Sequence, residues 1–330
     1  MELTWLEPVA ASWLQRERQA RLPHAVLLSG ARGTGKRALA AWLARRRLGV
    51  GTPGPLPEHP FERPAHADLH WVQKPEDKTG ILIDQIRDLV EELSLTSYHG
   101  GAKVAVIEPA DAMNTNAANS LLKTLEEPPG DALIILIADR PGRLPATIFS
   151  RCQRLHFAVP SRETALAWLE RLEAGVDWPA ALDLAGSAPL AAVAALETLE
   201  ASRRMAGELE ALGMNRVSPV EIAERWGKLE PVFVLGWLAR QVEQILKGRS
   251  DARARGPAAN LPESVLQRMD TRDLFCYLDT LNWLKGEPAG TYNLQLTLES
   301  LLIDWAAGLT GYRNTFTRGS LVPLPGQGRY

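Results

Sequence analysis

The chain has 330 residues, of which 45% are hydrophobic and 23% are charged, a balance that is typical of folded globular proteins and excludes global disorder. Its 37 basic and 39 acidic side chains leave a net charge of -2, which argues against a protein that binds nucleic acid by overall charge alone. No apolar run is longer than that of Ala132–Ala138, and its seven residues fall far short of the roughly 20 that a membrane-spanning helix needs.

A chain of this length predicts two or three domains, with ample residues for a core. The N-terminal residues show no basic segment followed by an apolar stretch, so no secretory signal is expected. The two cysteines, Cys152 and Cys276, are too few for a disulfide framework or a four-cysteine zinc site. These observations predict a reduced, cytoplasmic protein.

The first half of the chain alternates between short apolar segments and amphipathic segments. Strands are predicted at 25–29, 69–73, 103–108, 132–138 and 154–157. Helices are predicted directly after the first strand, around 83–93, over 114–127, and as a single turn at 145–150. Such alternation predicts a parallel sheet covered by helices, which is an α/β fold.

Two further features interrupt this pattern. Residues 51–64 contain five prolines and therefore predict a loop. The first helix ends in Arg45-Arg46-Arg47, ahead of Gly49; basic residues are favourable at a helix C-terminus, so a solvated helix end is favoured over a phosphate site. From about Ser161 onward only helical periodicity remains, so the α/β part is followed by an all-α part.

The turn after the first strand carries a nucleotide-binding motif. The run from Gly30 through Gly33 and Gly35 to Lys36 fits G-x-x-x-x-G-K, and it lies between a strand and a helix, as a P-loop requires. Backbone N–H groups of such a loop cradle phosphates, and its lysine reaches the outer phosphates. A chance glycine-rich turn is the less favoured alternative.

Two positions that ATP hydrolysis by a P-loop protein requires are altered in this chain. The residue after Lys36 should be Ser or Thr, whose hydroxyl ligates Mg²⁺, but Arg37 offers donors only. The second predicted central strand should end in Asp-Glu to hold the metal and polarise water, but it ends in Glu108-Pro109. Glu108 could still meet a metal through water, whereas proline has no acid–base chemistry. Both changes impair the same reaction.

Three motifs together resemble bacterial clamp-loader subunits of the AAA+ superfamily. They are the run Asn119–Pro129 with its Leu-Leu-Lys-Thr-Leu-Glu-Glu-Pro-Pro block, the pair Leu144-Pro145, and Ser150-Arg151-Cys152. The resemblance covers roughly 22–157, and the segment 293–302 resembles the last helix of the family's collar. It implies an AAA+ P-loop domain at 1–158, a helical lid domain at 159–205 and a helical collar, the oligomerisation domain, at 206–330.

Within this family the chain resembles the delta-prime subunits of the DNA polymerase III clamp loader more than the ATP-hydrolysing gamma/tau subunits. Besides Arg37 and Pro109, the threonine-rich end of the next strand is replaced by Ala138-Asp139, and the lid arginine by Pro189. The Ser-Arg-Cys motif is intact. The resemblance thus implies a subunit with a degenerate nucleotide site at Gly30, Gly33, Gly35 and Lys36 that provides an arginine to its neighbour.

Arg151 is the residue to which the resemblance assigns that role. An arginine finger places a permanently charged guanidinium against the charge that develops on the transferred phosphoryl group. The alternative is a structural arginine that pairs with a carboxylate and holds the 145–150 turn. For Cys152, a packed thiol is favoured over a nucleophile, because no histidine is placed to activate it.

No metal or other cofactor is expected. Many relatives carry a four-cysteine zinc module after the P-loop helix, but this chain has no cysteine before Cys152. The only metal-like cluster is the His-Ala-Asp-Leu-His segment from His66 through Asp68 to His70; no suitable third and fourth ligands are apparent near its two histidines, so a surface loop is favoured.

The sequence leaves three functions to compare. The favoured one is a catalytically silent, stator-like subunit of a clamp loader, whose implied partners are the gamma/tau and delta subunits, the beta sliding clamp and primed DNA. It would have neither ATPase nor polymerase activity of its own, while being part of the DNA polymerase III holoenzyme. The alternatives are an active AAA+ ATPase that uses Gly30–Lys36, and a free-standing DNA-binding protein, which the near-neutral charge disfavours. Trp226, Trp237, Trp283 and Trp305 suggest that 206–330 carries assembly.

Overall fold

The computed structural model describes residues 1–75, 78, 80–98, 100–250, 261, 263–287 and 290–312. The chain forms two compact units, 1–195 and 196–330. The first unit is built on a five-stranded, all-parallel sheet with the strand order β2-β3-β4-β1-β5. The strands are β1 (Ala25–Gly30), β2 (Leu69–Gln73), β3 (Lys103–Glu108), β4 (Ala132–Ala138) and β5 (Gln153–Phe157).

Burial follows strand position. Every residue of β1, β3 and β4 is buried, because these strands have neighbours on both sides and helices on both faces, whereas β2 and β5 form the sheet edges and are only partly buried. This confirms the predicted parallel sheet and the apolar character of 132–138. The order β3-β4-β1 also brings the carboxyl ends of these three strands to one edge, where the P-loop begins.

The helices of the first unit agree with the predicted segments, with the exception of the α-helix that precedes β1. They are α1 (Glu7–Arg18), α2 (Lys36–Leu48), α3 (Ile83–Ser94), α4 (Thr115–Glu126), α5 (Ala146–Phe149), α6 (Arg162–Leu172) and α7 (Trp178–Leu184). The helix α2 ends at Gly49, which adopts the left-handed conformation that favours glycine. The sequence analysis missed α1, whose periodicity is weak because Ala10 and Trp13 are its only fully buried residues.

The basic end of α2 is anchored by carboxylates. Arg46 pairs with Glu17 at 2.5 Å, and Arg47 pairs with Asp131. Arg45 approaches Glu62 at 3.8 Å. The three carboxylates come from three different segments, so this triplet ties α2 to its surroundings.

The proline-rich segment is a loop, as predicted, and it packs on the N-terminal residues. Leu3 N donates to Pro57 O at 2.8 Å, and His59 N donates to Met1 O at 2.9 Å. Trp42 Nε1 donates to Gly54 O at 2.8 Å. Through these bonds the loop holds the first residues of the chain in place.

The second unit is helical, as predicted. Its elements after α8 (Pro189–Gly213) are α9 (Pro219–Trp226), α10 (Pro231–Ser250), α11 (Glu263–Leu266), α12 (Thr271–Leu284) and α13 (Leu294–Ala306). Packing pairs α9 with α13 and α10 with α12. The helix α8 runs through the expected boundary at 205/206 and through the division of the two units at 195/196, so the division into lid and collar stays a prediction.

Three of the four tryptophans of this unit fill its own core. Trp226, Trp237 and Trp305 are buried, and the rings of Trp226 and Trp237 meet edge to face with centroids 5.7 Å apart. Large apolar side chains are exposed elsewhere in the unit: Val220, Val232, Phe275, Leu296 and Ile303. Core packing therefore accounts for these three tryptophans, and the assembly role of 206–330 stays a prediction.

Within the described ranges, no single helix is long and apolar enough to cross a membrane. The consecutive helices α7 and α8 are long and apolar enough only when their lengths are added, and the chain bends by 102° between them.

Candidate functional site: a closed P-loop and an exposed arginine

The P-loop has the backbone of its motif. It connects β1 to α2, and Gly30, Gly33 and Gly35 have φ values of 145°, 83° and 100°, in the region that only glycine adopts without strain. The Thr34 hydroxyl donates to Ala31 O at 2.8 Å and closes the turn. The sequence therefore predicted the loop correctly.

The phosphate-binding lysine is fully engaged by its own chain. Lys36 Nζ donates to Gly30 O at 2.8 Å and to Ala31 O at 2.6 Å, and it pairs with Asp139 Oδ1 at 2.7 Å. An ammonium has three donors, so these three partners account for all of them. The lysine side chain is only 4% exposed. A phosphate would have to displace the Asp139 carboxylate from this position.

The carboxylate at the end of β3 is likewise engaged. Arg37 Nε donates to Glu108 Oε1, while Trp71 Nε1 and Gln73 Nε2 donate to Oε2 at 3.1 and 3.4 Å. Trp71 and Gln73 are two residues apart on β2 and so share one face of the strand next to β3. The Glu108 side chain is 4% exposed. Both of its oxygens are thus committed to neighbours within the chain.

The start of α8 covers the middle of the loop. Leu190 N donates to Gly33 O at 3.1 Å, and a Cβ placed on Gly33 would lie 2.4 Å from Ala191 N. Pro189, which replaces the expected lid arginine, is the first residue of this helix. Pro189 therefore directly precedes the residues that contact the P-loop, and it provides no charge there.

The N-terminal residues cover the end of the loop. Trp5 Nε1 donates to Thr34 O at 2.9 Å, and a Cβ on Gly35 would lie 3.0 Å from both Leu3 and Leu6 side chains. Sequence reasoning missed this contact. The apolar residues Leu3, Trp5 and Leu6 were the available signal, but they lie in a single 3-10 turn that is too short to show periodicity.

Arg151 lies at the surface of the first unit, directly after α5. Its Nε donates to Glu126 Oε1 at 2.6 Å, and its Nη2 donates to the same oxygen. Its Nη1 donates to Thr147 O at 3.0 Å and to Ser150 Oγ at 3.1 Å. The arginine side chain is 30% exposed and the Glu126 side chain 49%. The guanidinium is therefore held in one place while remaining open to solvent.

The comparisons with known proteins identify the family. The family described as "DNA polymerase III, delta subunit" matches residues 7–161. DNA polymerase III subunit delta' of Pseudomonas aeruginosa is 33% identical over 316 residues, which are 90% of this chain and 96% of the relative. The chain belongs to the delta-prime subunits of DNA polymerase III. This is a clamp-loader family, as the three sequence motifs predicted.

Two further matches extend over most of the chain. The delta-prime subunit of Haemophilus influenzae is 27% identical and covers 93% of this chain and 95% of its own. Among solved structures, a gamma subunit-related protein of DNA polymerase III from Thermotoga maritima has a TM-score of 0.48 at 20% identity, and the match covers 94% of this chain and 100% of that one.

In this delta-prime chain, Cys152 is a packed thiol. Its side chain is buried, and burial raises the pKa of the thiol to about 12. The thiolate is the nucleophilic form, so a pKa this high makes the sulfur unreactive near neutral pH. The motif Ser150-Arg151-Cys152 thus crosses from the surface into the core within three residues.

The residues His66, Asp68 and His70 are structural. The buried Asp68 carboxylate accepts from Ser97 Oγ at 3.1 Å and from Tyr98 N at 2.9 Å. Burial lowers the pKa of His70. Over the part of the chain that the structure describes, no group of three or more His, Cys, Asp or Glu residues could hold a metal ion.

Proposed function

We propose that this chain is the non-hydrolysing, stator-like subunit of its clamp loader and that it provides Arg151 to the ATP site of a neighbouring ATPase subunit. One contrast carries the proposal: the Lys36 side chain, paired with Asp139, is only 4% exposed, whereas the Arg151 side chain, paired with Glu126, is 30% exposed at the surface of the first unit.

The closed P-loop supports the first half of the proposal. ATP would have to separate Lys36 from Asp139 and to move Ala191 away from Gly33. Mg²⁺ would find the Arg37 guanidinium in place of a hydroxyl, and a guanidinium cannot ligate a metal. The expected result is no binding of Mg²⁺-ATP by this chain and no hydrolysis of its own.

The setting of Arg151 supports the second half. A guanidinium is permanently charged, and its planar fork of donors matches two phosphate oxygens at once. Positioned donors of this kind stabilise the charge that develops as a phosphoryl group is transferred. Because Arg151 is outside the core, its charge is available to a neighbouring chain.

The proposal includes the partners of the complex. We infer assembly with gamma/tau and delta subunits through residues 206–330, where Val232, Phe275 and Ile303 are exposed. The complex would act in the cytoplasm on the beta sliding clamp and primed DNA. We also propose that the chain holds no zinc, which elemental analysis of the purified protein would test.

The direct test is Arg151→Ala in a reconstituted clamp loader that contains the full-length chain. We expect the complex to assemble normally while ATP hydrolysis and clamp loading fall. A finger is worth about 10³- to 10⁵-fold at its own site, but the complex should contain other ATP sites, so the total loss is smaller. Arg151→Lys should restore little, since an ammonium lacks the planar fork. Normal rates in an assembled Arg151→Ala complex would contradict the proposal.

The alternative, an active ATPase, is favoured by one observation, the intact backbone of the P-loop. It predicts Mg²⁺-dependent ATP hydrolysis by the isolated chain that is abolished by Lys36→Ala. We expect neither, and such turnover would make the alternative correct.

A further inference from the structure

We propose that Glu126 is the positioning residue of Arg151: its carboxylate fixes the guanidinium so that Nη1 faces the phosphate of a neighbouring ATP site. This inference rests on the proposed function, since it assumes that Arg151 acts on a neighbouring subunit. Its basis is the geometry of the pair and of the helix that carries Glu126.

The carboxylate holds one side of the guanidinium. Glu126 Oε1 accepts from Nε at 2.6 Å and also from Nη2. The other side is held by neutral acceptors only, since Nη1 donates to Thr147 O and Ser150 Oγ at 3.0 and 3.1 Å. An arriving phosphate can replace the two neutral acceptors of Nη1, because hydrogen bonds between charged partners are stronger.

The support of Glu126 is rigid. It is the last residue of α4, and the preceding residues Leu121, Thr124 and Leu125 are buried. Arg151 itself follows the short helix α5, which packs against α4. A long, partly exposed arginine otherwise loses side-chain conformational entropy when it is fixed, and the contact with Glu126 removes much of this loss before ATP arrives.

The contact between Glu126 and Arg151 could either hinder or help the reaction, and its geometry favours the second effect. A carboxylate beside a guanidinium could compete with phosphate for it, in which case its removal would speed the reaction. However, Glu126 contacts the Nε side and places only one of its oxygens on the guanidinium. This arrangement orients the side chain without covering Nη1, so removal of the carboxylate should slow the reaction.

The chain contains a matched control. Glu127 is the next residue, is also exposed and has the same charge. In the described residues, its carboxylate has no hydrogen-bond or ion-pair partner. A general effect of negative charge near Arg151 would therefore appear in Glu127→Ala as well as in Glu126→Ala.

The experiment measures kcat and KM for ATP hydrolysis by the reconstituted clamp loader with each full-length variant. We expect Glu126→Ala to lower the Arg151-dependent part of kcat by about tenfold, because a misplaced catalytic group loses rate steeply. Glu126→Gln should keep most of the rate, since its amide oxygen still accepts from Nε. Glu127→Ala should behave as wild type, and Glu126→Ala should add nothing to Arg151→Ala.

The outcomes separate the two proposals. Normal rates in Arg151→Ala would overturn the proposed function itself. If Arg151→Ala is slow while Glu126→Ala is normal or faster, the finger stands and the positioning role is wrong. The positioning role is also wrong if Glu126→Ala melts at a lower temperature than Glu127→Ala and fails to assemble, since Glu126 would then be structural.

Discussion

Two arginine–carboxylate pairs flank the nucleotide chemistry of this family, and they differ in burial. Arg37 pairs with Glu108, whose side chain is 4% exposed and which also accepts from Trp71 and Gln73. Arg151 pairs with Glu126, whose side chain is 49% exposed. A buried carboxylate depends on its partners, whereas an exposed one can exchange them for water or for another ion. The first pair therefore maintains the fold, while the second is suited to act on a neighbour.

Under the proposed function, this difference would explain how one chain loses ATP hydrolysis and still takes part in it at a neighbouring subunit. At the P-loop, side chains of the chain itself take the positions next to Lys36 and Glu108, so the loop is retained as structure. Arg151 makes four hydrogen bonds, but its side chain is 30% exposed, so a neighbouring chain can still reach the charge.

The largest expected difference concerns stability. Arg37→Ala leaves the buried Glu108 carboxylate with two neutral donors and should lower the free energy of unfolding by about 2 kcal/mol, less than for a fully buried pair because Arg37 is half exposed. Urea unfolding of the full chain measures it. Arg45→Ala, at another arginine of α2 with a long contact to Glu62, is the control and should cost well under 1 kcal/mol. Equal losses of unfolding free energy in Arg37→Ala and Arg45→Ala would mean that the burial of Glu108 does not make its pair with Arg37 more important than an exposed pair.

A second prediction concerns the closed P-loop. Asp139→Ala leaves the buried Lys36 ammonium with only two carbonyl partners and should cost about 1–2 kcal/mol. Millimolar inorganic phosphate should then raise the melting temperature of this variant and leave that of the wild type unchanged, because a ligand that binds the folded state stabilises it. Asp131→Ala, which removes an exposed carboxylate paired with Arg47, should show no such response. A phosphate response in the wild type would mean that the loop is open.

A smaller effect is expected at the exposed pair. Arg151→Ala and Glu126→Ala should each change the free energy of unfolding by less than about 1 kcal/mol, because exposed ion pairs contribute little. The same urea titrations measure it. A loss as large as that of Arg37→Ala would make Arg151 a structural residue, which was the alternative interpretation of the sequence.

The smallest expected effect concerns the reactivity of Cys152. It tests whether the Ser-Arg-Cys motif is already buried at the residue that follows Arg151. With a pKa of about 12, the buried Cys152 thiol is almost entirely protonated at pH 8, so alkylation of the native chain should be very slow. The half-buried Cys276 should react first. Mass spectrometry of Cys152→Ser and Cys276→Ser variants distinguishes the two sites. Fast labelling of Cys152 would show that the motif is not anchored in the core.

Much of the first unit was predictable because its signals are local. The strands are short runs of apolar residues, and Gly30, Gly33 and Gly35 mark a loop that needs their conformations. The helix α1 was missed because its buried stripe is narrow. The tryptophans of the second unit could not be assigned to core or interface from the sequence, since bulky apolar side chains fill both by the same physics; the structure places three of them in the core.

The sequence by itself determined the family, the parallel sheet and the loss of a hydroxyl at Arg37 and of a carboxylate at Pro109, because each depends on residue identity within a short motif. Only the tertiary structure decided that Asp139 neutralises Lys36, that Leu3 and Leu6 cover Gly35, and that Glu126 holds Arg151. These partners come from distant parts of the chain and meet because parallel strands end at one edge of the sheet and because α4 packs against α5. No local pattern records such a meeting, since it arises from the order of the strands and the packing of the helices.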